Sequence, residues 1–227
     1  MRSYLTQHFT SLRYLIPLLS FAAVFGILKG LHYLNPTVST LNTCFSAFIY
    51  LCGLYIAFIA AQPLLKLHWA NFQLRKISTH LWIVIGFLGS HTIIYTVRNL
   101  LQYFSTPSPA IEVEPIATPT LGLFLASAIL PFFAPLFEEI AFRHSFFKHL
   151  ARTTPLTFLW AIISSIAFGL IHYPAFATLL DTLPYVAVGL FYCFIYHQTN
   201  NLFYTIFIHA LVNWSTLFLA LIGFIVT

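Results

Sequence analysis

Acidic side chains are nearly absent from this chain: there are five in 227 residues, and charged residues of both signs make up only 7% of it. A soluble domain carries roughly 25%, so a surface bathed in water is excluded. Cysteine is scarce too. The three present, Cys44, Cys52 and Cys193, all stand in apolar stretches, which argues against a disulfide framework or thiolate cluster and leaves small packing residues. The sequence holds no HExxH pair, no evident internal repeat and no low-complexity tract. Nor does it show the period-two alternation of a membrane barrel. The net charge of +5 comes from basic residues beside apolar runs. Such residues set membrane topology, so nucleic acid is not read as a partner.

What fills the chain is apolar: 59% of its residues are hydrophobic, in runs long enough for the ~20 helical residues that cross a bilayer. Lipid cannot hydrogen-bond a bare backbone, which leaves helices as the spanning structure. The expected fold is an all-α, polytopic transmembrane bundle of about seven spans (six to eight) around a polar cavity. The spans are read at 12–31, 41–65, 81–103, 119–150, 156–173, 181–197 and 202–225, the last with a break near Trp214. The stretch 119–150 is too long for one ordinary span, and Pro131 and Pro135 are expected to kink or divide it. LKLHWANFQLRKISTH (65–80), with Lys66, Arg75 and Lys76, reads as a cytoplasmic loop. The N-terminus, with Arg2 and Arg13, then lies on the same side. It shows no small-residue cleavage site and reads as a retained first span. The loop STPSPAIEVEPIATP (105–119) fits the outer side.

Against this background PLFEEIAFRH (135–144) stands out, because Glu112, Glu114 and Asp181 sit beside proline or turn-forming residues while Glu138 and Glu139 are embedded in an apolar run. An ionisable group at membrane depth costs at least ~2.5–3.5 kcal/mol, so it calls for a partner or a function. The constellations that meet this test are Glu138-Glu139 with Arg143, Phe168 with His172, and His209 with Asn213. Glu139 and Arg143 are i,i+4 neighbours in the favourable order for an ion pair. Glu138 points about 100° away, so the two acids are expected not to share a partner well. Desolvation then penalises the charged form of Glu138, as suits a general base.

His209 and Asn213 share a helix face and offer an imidazole and an amide. Counting rise per residue puts Glu138 about 20 Å from the ARTTP turn, His172 about 24 Å up the returning helix, and His209 about 13 Å from the QTNN turn. A carboxylate, two imidazoles and an amide at comparable depth make a water-activating site. His32, His80, His91 and His197 are instead read as packed, hydrogen-bonded histidines.

In this order the motifs resemble the CAAX-prenyl-protease and bacteriocin-processing (Abi) family of intramembrane proteases. EEIAFR (138–143) is similar to its EExxxR signature, FGLIH (168–172) to FxxxH and HALVN (209–213) to the HxxxN-type motif. YVAVGLFYCFIYHQTNNL (185–202) is similar to the Gly-containing segment between them. The chain would thus be a single membrane domain, 1–227, with a family core at 119–225 and three accessory spans with their loops at 1–118.

The resemblance implies hydrolysis of a peptide bond. Glu138 would activate water and His172 position it; His209 and Asn213 would stabilise the oxyanion; Glu139, Arg143 and Phe168 would support them. His144 departs from the family's usual glycine and would narrow the cavity mouth or add a polar contact. Metal-free chemistry is favoured, with zinc held by Glu138, His172 and His209 as the alternative. The expected substrate is a peptide or small protein at the lipid bilayer, in a bacterial plasma membrane. A non-proteolytic bacteriocin-immunity or binding protein is the reading from another class. A transporter is weaker, since repeats are lacking and the polar residues fall in the last half.

Overall fold

The computed structural model describes residues 12–35, 39–74, 76–104, 120–148, 150, 154–173 and 178–226. The basic N-terminus with Arg2, the side chain of Arg13, Arg75, the loop carrying Glu112 and Glu114, and most of the ARTTP turn lie outside the described residues. The elements are α1 (Ile16–Leu34, preceded by a 3-10 turn at Leu12–Leu15), α2 (Thr40–Asn71), α3 (Ile77–Phe104) and α4 (Leu121–Glu138). Without a loop, α4 runs into a π-helical segment, Glu139–Lys148. Then come α5 (Thr154–Leu170), a 3-10 turn at Leu179–Thr182, α6 (Leu183–Thr199) and α7 (Leu202–Val226). Among the described residues there is no strand.

Six of these stretches, α4 being taken with its π segment, are long and apolar enough to cross a membrane, and α5 is a shorter apolar helix. Large side chains such as Tyr33, Leu41, Phe48 and Ile77 stand exposed on the bundle's outside. In water so much exposed apolar surface would drive aggregation; in lipid it is the solvent-compatible face. The protein is an integral membrane protein.

The helix boundaries have local causes. Ser39 and Thr120 cap α2 and α4, their hydroxyls accepting from the backbone N–H of Asn42 and Leu123. Asn200 closes α6 in the left-handed region, at φ 49°, a conformation that asparagine tolerates.

Packing centres on the helix that carries the glutamates. Phe137 is fully buried, with the rings of Phe21 (α1) and Tyr50 (α2) set edge-on at 4.9 and 5.2 Å. Gly189 lets α6 approach α5: a Cβ there would lie 3.1 Å from Ser165 Cβ and 3.2 Å from Phe168 Cδ1. Small residues serve this purpose wherever helices pack closely in lipid.

Several expectations are revised. The 65–80 segment is mostly helical, since α2 runs to Asn71 and α3 begins at Ile77. The extension is held from the other end of the chain: Asn201 Nδ2 donates to His68 O at 2.8 Å, and the Leu202 N–H donates to His68 Nδ1 at 3.0 Å. The last helix does not break near Trp214. His32, His80, His91 and His197 are exposed rather than buried, although His91 Nδ1 donates to Phe87 O at 3.0 Å and its ring lies 4.5 Å from that of Phe87. Among the described residues the buried histidines are His68, His144 and His209, each with a partner on a neighbouring helix. Pro131 and Pro135 lie inside α4, and the change of helix type comes after Glu138.

Gly189→Val is expected to destabilise the fold by about 1–3 kcal/mol through overpacking, seen as a lowered thermal midpoint in detergent. At Gly26 an added methyl group would meet nothing within 4 Å, so alanine should be accepted there without a shift.

Candidate active site

Proline shapes the helix that carries the glutamates. Pro135 has no N–H, so the carbonyl of Pro131, four residues earlier, loses its intrahelical donor. Asn213 Nδ2 on α7 donates to that carbonyl at 3.1 Å, and Trp214 Nε1 donates to Phe132 O, also at 3.1 Å. Just beyond, the chain widens into the π segment, a geometry often found at functional sites. Ser145 Oγ donates to Ile140 O, five residues back, at 3.1 Å, and Ser164 Oγ of α5 donates to Phe142 O at 2.8 Å. Side chains thus add hydrogen bonds to the backbone of this stretch where lipid could offer none.

The widened turn brings four charged or ionisable groups together. Glu139 Oε2 lies 3.3 Å from Arg143 Nε, both side chains fully buried. Its Oε1 accepts from His209 Nδ1 at 3.0 Å. His209 Nε2 in turn lies 3.9 Å from Glu138 Oε2. The two glutamates therefore share a partner, against the expectation from their angular separation. An imidazole carries nitrogens on opposite sides of its ring, so one histidine reaches two carboxylates that diverge on their own helix. Glu138 and His209 are only 7% and 5% exposed.

Aromatic rings enclose the cluster. The Arg143 guanidinium carbon sits 4.1 Å from the Phe168 ring centre and 5.3 Å from that of Tyr192. Phe168 also meets both imidazoles edge-on, His172 at 5.1 Å and His209 at 5.7 Å between ring centres. Half-buried His172 lies just past α5; its Nδ1–H donates to Phe168 O at 2.9 Å and its ring stacks on Tyr185 at 4.2 Å. A carbonyl can only accept, so this bond fixes the tautomer and leaves Nε2 as an acceptor.

Glu138, Glu139, Arg143, Phe168 and His209 come together, with His172 joined through Phe168. Asn213 is one helical turn from His209, but an amide hydrogen is engaged by Pro131. His144 is fully buried, with Nδ1 3.1 Å from the Tyr196 hydroxyl and the Tyr14 ring edge-on at 5.3 Å. It is thus a polar contact within the packed interior. Tyr185, Tyr192 and Tyr50 were not identified from the sequence. A signal existed for the first two: seven residues apart on one helix, they share a face. Two clefts of about 370 and 240 Å³ lie at helix ends, and neither is lined by Glu138, His172 or His209. Glu139 and Arg143 are fully buried and Glu138 and His209 nearly so, while His172 stands at the half-exposed edge of the cluster. Among the described residues no three His, Cys, Asp or Glu side chains converge at metal-binding distances. Glu138, His172 and His209 therefore do not converge as a zinc donor set.

Residues 120–215 match a family model described as "Type II CAAX prenyl endopeptidase Rce1-like". The resemblance carried by the three motifs is borne out over that segment. The chain is also 37% identical over 79 residues to the Bacillus subtilis (strain 168) protein named "Putative membrane peptidase YdiL". That match covers 35% of this chain and 30% of the relative, so the chain aligns with less than a third of the curated protein's length. No solved structure matches.

Removing one partner of a buried ion pair strands the other. Arg143→Met is accordingly expected to destabilise the protein by about 3–5 kcal/mol. The double variant Glu139→Gln/Arg143→Met should recover much of the loss. Folded yield and thermal midpoint in detergent would check both.

Proposed function

We propose that the chain is an intramembrane endopeptidase in which Glu138 activates water for attack on a membrane-proximal peptide bond. The observation that carries this reading is the His209 bridge: one imidazole faces a structural carboxylate, Glu139, on one side and the buried Glu138 carboxylate on the other. Arg143 holds Glu139 ionised, Glu139 fixes the imidazole, and Glu138 keeps no cation of its own within its helix. The family match at 120–215 and the peptidase relative support the reaction class.

In the reaction, Glu138 takes a proton from water as the oxygen bonds to the scissile carbonyl carbon. His172 Nε2, left as an acceptor, orients the water through its second hydrogen. The carbonyl π electrons move to oxygen, and the tetrahedral intermediate carries a negative charge. Because ionised Glu139 takes the Nδ1–H, His209 can offer Nε2–H to that oxyanion only as the imidazolium. Before the attack the two carboxylates, Arg143 and the His209 imidazolium carry no net charge, and once Glu138 is protonated the oxyanion restores the balance, as a site sheltered from water favours. Collapse of the intermediate breaks the C–N bond, and the proton held by Glu138 passes to the departing amine. Asn213 serves as the further oxyanion donor through the amide hydrogen not given to Pro131.

Glu138 and His209 are buried among apolar helices while His172 is half-exposed. This suits a peptide presented from the bilayer: a prenylated C-terminal segment by the family's description, or a bacteriocin precursor or related hydrophobic peptide. Self-immunity by cleavage belongs to the same scheme.

Glu138→Gln should lower cleavage by about 10²–10⁴-fold, the usual contribution of a positioned base, without altering expression. Peptide fragments compared by mass spectrometry in membranes containing wild type or Glu138→Gln test this, with a chelator in a parallel arm. Chelator-resistant fragments present only with the wild type are expected. Identical fragment patterns would end the protease reading, and chelator sensitivity would replace glutamate-activated water with metal chemistry. Protection against a bacteriocin that survives Glu138→Gln would favour a binding protein.

A further inference from the structure

Tyr50 lies on α2, outside the family match at 120–215, yet it forms part of the wall beside the glutamates. Its ring is set edge-on against Phe137 at 5.2 Å, the residue that immediately precedes Glu138. The side chain is 6% exposed, and its hydroxyl has no hydrogen-bond partner among the described residues. Glu138 Oε2 is likewise buried without a hydrogen bond, and the phenol lies within electrostatic reach of that carboxylate. An unsatisfied buried polar atom costs about 1–3 kcal/mol, and native interiors rarely retain such atoms without a partner or a bound water. A phenol is a donor at neutral pH and a carboxylate an acceptor; one water bridges such a pair at little energetic disadvantage over a direct bond.

We propose that Tyr50 is a positioning residue for Glu138, its hydroxyl donating through one water to the carboxylate and leaving the other oxygen free to take the proton of the attacking water. The assignment rests on the glutamate-base reading above and extends it to the N-terminal half of the chain. No other role is visible for the hydroxyl. Packing against Phe137 and the α1 side chains uses only the ring, which phenylalanine would supply equally well.

The test uses the full-length chain in liposomes with dicyclohexylcarbodiimide as the probe, since it modifies protonated carboxyls in apolar surroundings and needs no substrate. Labelling of Glu138 is mapped by mass spectrometry at a single neutral pH. Loss of a donor destabilises the ionised carboxylate, so Tyr50→Phe should label about threefold faster or more than wild type, at an unchanged thermal midpoint. Phe137→Leu, which loosens the same contact but keeps the hydroxyl, calibrates effects of packing alone.

Equal labelling of wild type and Tyr50→Phe overturns the proposal. So does a rise no larger than the one Phe137→Leu produces at the same loss of thermal midpoint. For any peptide cleaved by the wild type, Tyr50→Phe should lower kcat by about tenfold with KM unchanged; an unaltered kcat also overturns it. If the wild type cuts nothing, the protease reading falls, while the labelling still decides whether Tyr50 holds Glu138.

Discussion

The site depends on one buried carboxylate meeting two cationic or protonatable groups at once. Glu139 binds Arg143 through one oxygen and His209 through the other. A lone carboxylate at this depth would be costly. Paired twice, it joins the π segment to α7 and fixes the orientation of the imidazole that faces Glu138. The guanidinium needs its own compensation, and the rings of Phe168 and Tyr192 supply it. Cation–π contacts of this kind contribute about 2 kcal/mol when desolvated. Phe168 therefore does more than space its motif from His172: it packs against Arg143 and both imidazoles.

The same economy of polar groups shapes the backbone. Two prolines and a π-helical segment interrupt the regular ladder of the motif helix. In water such gaps would be hydrated. Here the Pro131 carbonyl freed by Pro135 is met by Asn213, and Trp214, Ser145 and Ser164 add side-chain bonds to the carbonyls of Phe132, Ile140 and Phe142. The interruption that opens room for two glutamates is thus secured by side chains from α5, α7 and the π segment itself, so that local irregularity and tertiary structure are one feature.

The helices before the matched segment also belong to this arrangement. Phe21 of α1 packs on both Phe137 and Phe142, and Tyr50 of α2 on Phe137. They cover the face of the motif helix that would otherwise meet lipid next to a buried acid. The family match is confined to 120–215, so the residues that cover this face lie outside it.

Much of the site could be read from order alone. Glu139 and Arg143 are a turn apart, and a helical turn is enough to make them a pair. The scarcity of charge likewise determined the membrane environment, since no soluble fold buries so much apolar surface with so few charges. Local spacing is legible because helix geometry is nearly invariant. What the sequence by itself could not determine was how groups on different helices meet. Angular separation on one helix argued that Glu138 and Glu139 would not share a partner, yet the two nitrogens of a single ring from α7 span them. Asn213 reads as a site amide by its spacing, and only the fold showed an orphaned proline-kink carbonyl within its reach. Tyr50 gave no signal at all, being one aromatic residue among many in an apolar helix. Its place against Phe137, the residue before Glu138, was decided by packing between segments nearly ninety residues apart, through contacts that no periodicity encodes.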